Sequence, residues 1–201
     1  MSGLLSRLVL AALLMFGGLS PAFAQPKLET AVFAGGCFWT MQHDLAPIPG
    51  VVSTEAGYAG GRVAHPTYEQ VSSETTGHLE SVKVTFDPAK LSYAALVEHY
   101  WRRIDPTDSG GAFCDRGASY HSAIFVASPE QRRIAEASLV TINVRFKGHV
   151  VTEIRPAAVF WPAEGYHQHY ADKNPAYYAR YRTGCGKDAA MHQIWGAEAF
   201  K

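Results

Sequence analysis

Hydrophobic positions along this chain follow two periods, and the places where the period changes mark its elements. Val82, Val84 and Phe86 alternate with polar residues as a strand does, and Asp87-Pro88 closes the run. Ser92 then opens a helix whose apolar face is Tyr93, Leu96, Val97, Tyr100, Trp101 and Ile104. Upstream, Thr30–Ala34 reads as a short strand. Gly35-Gly36 breaks it, and a helix runs from Cys37 to Leu45 until Pro47 and Pro49 end it. Downstream, Ala123–Ala127 and Val150–Ile154 read as further strands, and Ser128-Pro129-Glu130-Gln131 caps a helix between them with proline in its first turn. Residues 105–120 and most of the chain after Pro162 are expected to be coil punctuated by Gly and Pro, apart from a terminal helix around Tyr177–Tyr181, Arg180 and Arg182. The expected fold is α/β (α+β): a two-layer sandwich of a mixed sheet with flanking helices and a long C-terminal coil.

The N-terminal segment stands outside this pattern. Arg7 precedes an apolar run from Leu8 to Leu19, followed by Pro21 and the small-x-small triplet Ala22-Phe23-Ala24. Residues 1–24 are therefore expected to be a cleaved signal peptide, leaving 25–201 as a single secreted domain, with the periplasm as its compartment. The run is too short for a span, so no membrane association is expected after cleavage.

Composition removes several classes. The 201 residues are 47% hydrophobic and 18% charged, enough apolar material for one core. Lys plus Arg and Asp plus Glu are 18 each, so there is no basic surplus to hold phosphates and no nucleic-acid partner is expected. Three cysteines are too few for a disulfide scaffold, and an odd count leaves at least one thiol free.

The sharpest chemical signal is Gly35-Gly36-Cys37-Phe38-Trp39, which puts a thiol at the start of a helix following a strand. The helix dipole and its unpaired N–H groups favour thiolate there, so a lowered pKa is expected. A buried structural cysteine is the alternative. Phe38 and Trp39 either wall an apolar pocket beside the sulfur or pin the helix to the sheet. His167-Gln168-His169 lacks the spacing of a zinc site, and no metal is expected. The glycines of Gly57–Gly61 are not followed by the Lys-Ser/Thr of a phosphate loop.

Six motifs occur in order: Gly-Cys-Phe-Trp; Gly57-Tyr58-Ala59-Gly60-Gly61; Thr76-Gly77-His78-Leu79-Glu80; Asp105-Pro106-Thr107; Asp115-Arg116-Gly117 with Ser119-Tyr120; and Pro162-Ala163-Glu164 with Tyr166-His167-Gln168. Together they resemble the A-type peptide methionine sulfoxide reductases. The resemblance implies a thiol enzyme that reduces the S epimer of methionine sulfoxide, free or in oxidised proteins. It implies no bound metal or organic cofactor, with electrons drawn from an external thioredoxin-like thiol reductant. Carried over, it makes Cys37 the nucleophile, Phe38 and Trp39 the methyl pocket, and Glu80 the acid that protonates the sulfoxide oxygen. Tyr68 and Tyr120 become the oxygen-binding tyrosines, and Asp115 orders water and substrate.

Such chemistry leaves a sulfenic acid on Cys37, which a second thiol discharges. This chain departs from familiar relatives here: Cys114 stands where many have Asn, and no cysteine closely follows Asn174-Pro175. Cys185, between Gly184 and Gly186, is the first choice as resolver, on the expectation of a mobile coil able to reach Cys37. Cys114 is the second candidate, direct reduction by an external thiol is the third, and a structural Cys114–Cys185 disulfide stays open. A monomer is expected. A thiol peroxidase, a cysteine hydrolase or a non-catalytic module that captures oxidised methionine are the competing functions.

Overall fold

The computed structural model describes residues 27–201, so the expected signal segment lies outside the described residues. Six strands form one sheet in the order β7-β6-β1-β3-β2-β8. These are β1 (Glu29–Ala34), β2 (Val51–Ala59), β3 (Leu79–Phe86), β6 (Ala123–Val126), β7 (Glu153–Pro156) and β8 (Phe160–Pro162). All neighbours are antiparallel except β6 and β7, which makes the sheet mixed, as expected. A two-stranded hairpin, β4 (Gly111–Ala112) and β5 (Asp115–Arg116), stands apart from it.

The period-2 pattern of β3 sends Val82, Val84 and Phe86 to the face covered by α1 (Phe38–Leu45), α3 (Tyr93–Trp101) and α4 (Pro129–Arg145), with short α2 (Tyr68–Ser72) between β2 and β3. There they pack with Phe33, Met41, Leu96, Tyr100 and Trp101, all essentially without exposed surface. Phe33 and Tyr100 stack at 4.8 Å, and the Tyr100 hydroxyl donates to the Ala34 carbonyl at 2.8 Å, tying α3 to the end of β1. A smaller cluster of Ala34, Ala59, Leu79, Ala123 and Phe125 fills the opposite face. Glu80 is in phase with the buried valines, so the alternation itself carries a carboxyl into the helix-covered layer.

Several features differ from expectation: β2 and β8 join the sheet unannounced, and the expected coil of 105–120 folds into the β4–β5 hairpin and a short 3-10 turn, Ala118–Tyr120. The strand expected at Val150–Ile154 is Glu153–Pro156, a few residues later, because it pairs in parallel with β6 from Ala123↔Glu153 onward. The chain after Pro162 is more helical than expected: the terminal helix expected around Tyr177–Tyr181 is α6 (Pro175–Gly184), and α5 (Tyr170–Lys173) and α7 (Lys187–Trp195) form where coil was expected. Pro175 occupies the first turn of α6, where its missing N–H costs nothing, and Gly186 adopts φ +68° between α6 and α7. The glycines that suggested a mobile coil thus mark the joint between two helices. Pro-Ala-Tyr-Tyr-Ala-Arg-Tyr-Arg has no continuous apolar stripe, and Tyr178 is the residue of α6 that is fully buried.

Candidate active site

Cys37 is the residue that caps α1, directly after β1. A Cβ on Gly36 would stand 2.5 Å from that of Ala112, and Gly36 has φ +91°. Glycine at this point lets the β4–β5 hairpin close against the turn that presents the thiol. The first helical amide, the Phe38 N–H, donates to Glu80 Oε2 at 2.9 Å. The helix N-terminus is therefore spent on a carboxyl and only partly on the sulfur.

The electrostatics follow from enclosure. Cys37 is 8% exposed and Glu80 3%. Burial, with the nearby Glu80 and Asp115, pushes the Cys37 thiol well above its ordinary range, against the opposing Tyr181 hydroxyl and Trp39 amide. This corrects the expected lowered pKa: desolvation outweighs an eight-residue helix dipole. Burial likewise pushes Glu80 up to about 8, offset in part by the Phe38 N–H and reinforced by Asp115 and Glu74. At neutral pH the pair is a thiol beside a carboxylic acid.

Tyr68 and Tyr120 lie together on this pair. Burial, Glu80 and Cys37 hold Tyr68 up at about 12, while its bond with Tyr120 opposes the shift. Burial and Glu80 raise Tyr120 as well. Both remain hydroxyl donors throughout the physiological range. Glu164 places the first of them: its Oε1 accepts the Tyr68 N–H at 2.8 Å and its Oε2 the Tyr58 hydroxyl at 2.8 Å. Tyr58 is paired in register with Glu80 across β2 and β3.

The aromatic wall is built from both ends of the chain. The Trp39 indole N–H donates to His167 Nδ1 at 3.0 Å, and because an indole only donates, that nitrogen is the bare one. Burial holds His167 neutral, against the pull of Glu164 and Glu69. Its ring lies 4.9 Å from Phe38 and 4.6 Å from Tyr68, so one imidazole spaces the walls of the site. Tyr170 stacks on Trp39 at 3.7 Å. Gln168 binds both the N–H and the carbonyl of Ala56, at 2.9 and 2.8 Å, standing in for a neighbouring strand beside β2. The His-Gln motif thus builds the pocket.

Asp115 reaches the site through a residue that sequence reasoning left with a packing role. The Tyr181 hydroxyl, on α6, donates to Asp115 Oδ2 at 2.5 Å and lies beside the Cys37 thiol. Burial raises Asp115, moderated by Tyr181 and Lys187. The aromatic run Tyr177–Tyr181 was the available signal, but nothing in it distinguishes Tyr181 from its neighbours.

The cysteine pairing differs from the leading expectation. Cys185 is not on coil and is not bonded to Cys37: it caps the end of α6 and forms a disulfide with Cys114, 71 residues away, with Cα atoms 5.0 Å apart. Cys37 is the free cysteine. The α6–α7 pair is further anchored by buried Asp44 on α1, which takes Arg182 Nη1 at 2.7 Å and Lys187 Nζ at 2.9 Å. Burial would raise the Asp44 pKa, but Lys187 and Arg182 overcome it and hold it low.

A free buried thiol beside a neutral acid and tyrosine donors, with a disulfide near by, defines a thiol oxidoreductase. Residues 29–199 match the family model "Peptide methionine sulfoxide reductase". Over 187 residues the chain is 56% identical to peptide methionine sulfoxide reductase MsrA 2 of Caulobacter vibrioides, covering 92% of this chain and 95% of that one. Among solved structures, methionine sulfoxide reductase A of Corynebacterium diphtheriae superposes with a TM-score of 0.68 at 34% identity, covering 75% and 77% of the two chains. Reduced Mxr1 from Saccharomyces cerevisiae superposes with 0.71 at 27%, covering 74% and 87%. Mxr1 is also known in complex with Trx2, with a TM-score of 0.51 at 19% identity and coverage of 72% and 85%. This chain belongs to the peptide methionine sulfoxide reductase family, and within it to the A type.

Proposed function

We propose that the protein reduces the S epimer of methionine sulfoxide, free or in oxidised proteins, outside the cytosol, as a monomer with no bound metal or organic cofactor. The observation that carries this reading is the Glu80 carboxyl, buried and held neutral at the mouth of the helix that presents Cys37. A sulfoxide oxygen leaves only when protonated, and Glu80 is the group able to protonate it. The substrate methyl group sits against Phe38 and Trp39, and the Tyr68 and Tyr120 hydroxyls meet the oxygen, where each fixed donor is worth about 2.7–4 kcal/mol. Glu80 gives its proton to the oxygen and takes the Cys37 thiol proton in return as the sulfur of Cys37 attacks and takes the oxygen, so that a thiol and a sulfoxide become a sulfenic acid and a sulfide.

Cys185 then attacks the sulfenic sulfur, releasing water and forming a transient bond to Cys37. Cys114 displaces Cys37 from it and leaves the Cys114–Cys185 disulfide. A thioredoxin-like dithiol reduces that bond, a role supported by the yeast relative's complex with Trx2. Secretion rests on the Leu8–Leu19 run and the Ala22-Phe23-Ala24 site. The test is reaction of reduced protein with the separate enantiomers of methyl p-tolyl sulfoxide under dithiothreitol. Sulfide from the S enantiomer alone is expected; peroxide consumption without sulfide would establish a thiol peroxidase instead. Protein recovered from its host should begin at Gln25, and an intact Met1 would refute export.

A further inference from the structure

The two sulfurs of the Cys114–Cys185 disulfide are not equivalent. Cys114 lies in the tight turn between β4 and β5 and is exposed; Cys185 is half-buried at the end of α6. The Cys114 backbone N–H donates to Cys185 Sγ at 3.2 Å, and no such bond reaches Cys114 Sγ among the described residues. Cys185 sits where the negative end of the α6 dipole meets the positive end of the α7 dipole, so the two largely cancel and the Cys114 N–H is what sets its sulfur apart. Thiol–disulfide exchange is governed by which sulfur can be reached and by how stable a thiolate the other becomes. Here access and leaving-group stability point to the same assignment.

We infer that the reducing dithiol docks over the β4–β5 turn and attacks Cys114, expelling Cys185 as the thiolate. The donor's thiolate forms a bond to Cys114 Sγ while the Cys114–Cys185 bond breaks, and its electron pair departs on Cys185 Sγ, held by the Cys114 N–H. The donor's second thiol then attacks its own sulfur in the mixed disulfide and releases Cys114. The donor leaves oxidised, and two protons from solvent and the donor's thiols restore both cysteines. Phe113 on one side of Cys114 and exposed Arg116 two residues beyond it flank the approach, while Cys185 is half-buried at the joint between α6 and α7. The order of use follows from the proposed recycling: Cys185, whose thiolate the Cys114 N–H stabilises, serves the catalytic cysteine, and exposed Cys114 serves the donor.

This assignment rests on the recycling reading above, but it is tested without sulfoxide. The oxidised full-length protein is mixed with thioredoxin whose second active-site cysteine is replaced by serine, quenched with acid, alkylated, and mapped by mass spectrometry. The mixed disulfide should sit on Cys114, with Cys185 alkylated, in at least about tenfold excess over the reverse adduct. A predominant adduct on Cys185, an even split, or no adduct under conditions where dithiothreitol opens the bond would overturn it. A separate sulfoxide assay on the wild-type protein reports whether the reductase reading itself holds, so the two failures are told apart.

Discussion

The frame that holds Cys37 and the helices that cover it are built by different physics. Strands β1 and β3 with helix α1 form the frame. It is stabilised by apolar alternation, and its polar elements, Glu80 and the Phe38 amide, are placed by the same backbone periodicity. Helices α5 to α7 form the cover. Helix α7 sends Met191 and Trp195 into the main core, but α5 and α6 bury little apolar surface, and the rest of the attachment is the Asp44 ion pairs, the Tyr181–Asp115 bond, aromatic contacts to Trp39 and one disulfide. In the proposed reaction bond-making belongs to the frame, where position is fixed by packing. In the proposed reaction recycling belongs to the cover and the β4–β5 turn disulfide-bonded to it, whose polar and redox-sensitive attachments can be changed while the sheet core stays packed.

Substitutions in the two regions should therefore fail in different ways. Cys37→Ser should lower sulfoxide reduction by roughly 10⁴-fold or more with an unchanged circular dichroism spectrum, as loss of a nucleophile does in other covalent catalysts. Residual turnover at a tenth of the wild-type rate would move the chemistry out of the frame. Glu80→Gln comes next, with an expected loss of ~10²–10⁴-fold in the single-turnover burst of sulfide at neutral pH. The loss should shrink in acid, where solvent protonates the sulfoxide.

In the cover, Lys187→Ala should leave catalysis by reduced protein nearly intact and act on stability. Breaking one arm of a buried pair costs about 3 kcal/mol, or roughly 6–12 °C in Tm for a chain of this size. The stabilisation from Asp44 has a defined pH window. Its pKa is lowered on folding, so the contribution is complete above the unfolded value of about 3.9 and disappears as pH falls through the lower folded value. A Tm difference between wild type and Lys187→Ala that persists unchanged well below that window would rule out the ion pair as its cause. The smallest effect belongs to Tyr181→Phe, which keeps the ring against Trp39 and removes the bond to Asp115. About a tenfold fall in the sulfide burst is expected, the equivalent of ~1.4 kcal/mol for one hydrogen bond. No change would leave Tyr181 as packing alone.

The same division decides what was legible in the sequence. Glu80 shares the phase of Val82, Val84 and Phe86, so its burial could be read from alternation, and Gly35-Gly36 before Cys37 announced the strand-to-helix turn. Strand β2 passed unnoticed because Thr54-Glu55-Ala56-Gly57 has little β-forming composition; it is a strand because β3 pairs with it and Gln168 and β8 complete its other side. Helix α6 was legible only in outline, from its Tyr and Arg run, because it has no continuous apolar stripe, and α7 gave no signal that was read. The Asp44–Arg182–Lys187 cluster and the Cys114–Cys185 pairing join residues far apart in the chain, and no local pattern encodes them. The expected thiolate at Cys37 failed for a similar reason: the helix start was visible, but the enclosure that outweighs it is tertiary.

The pH profile of the single-turnover sulfide burst by reduced wild-type protein tests the pairing of a neutral thiol with a neutral acid most directly. If Glu80 must be protonated, the rate should hold level through neutral pH and fall as the carboxyl ionises at about 8. A rate that instead climbs through that region, as ionisation of a thiol with its ordinary pKa of about 8.5 would demand, would contradict the account.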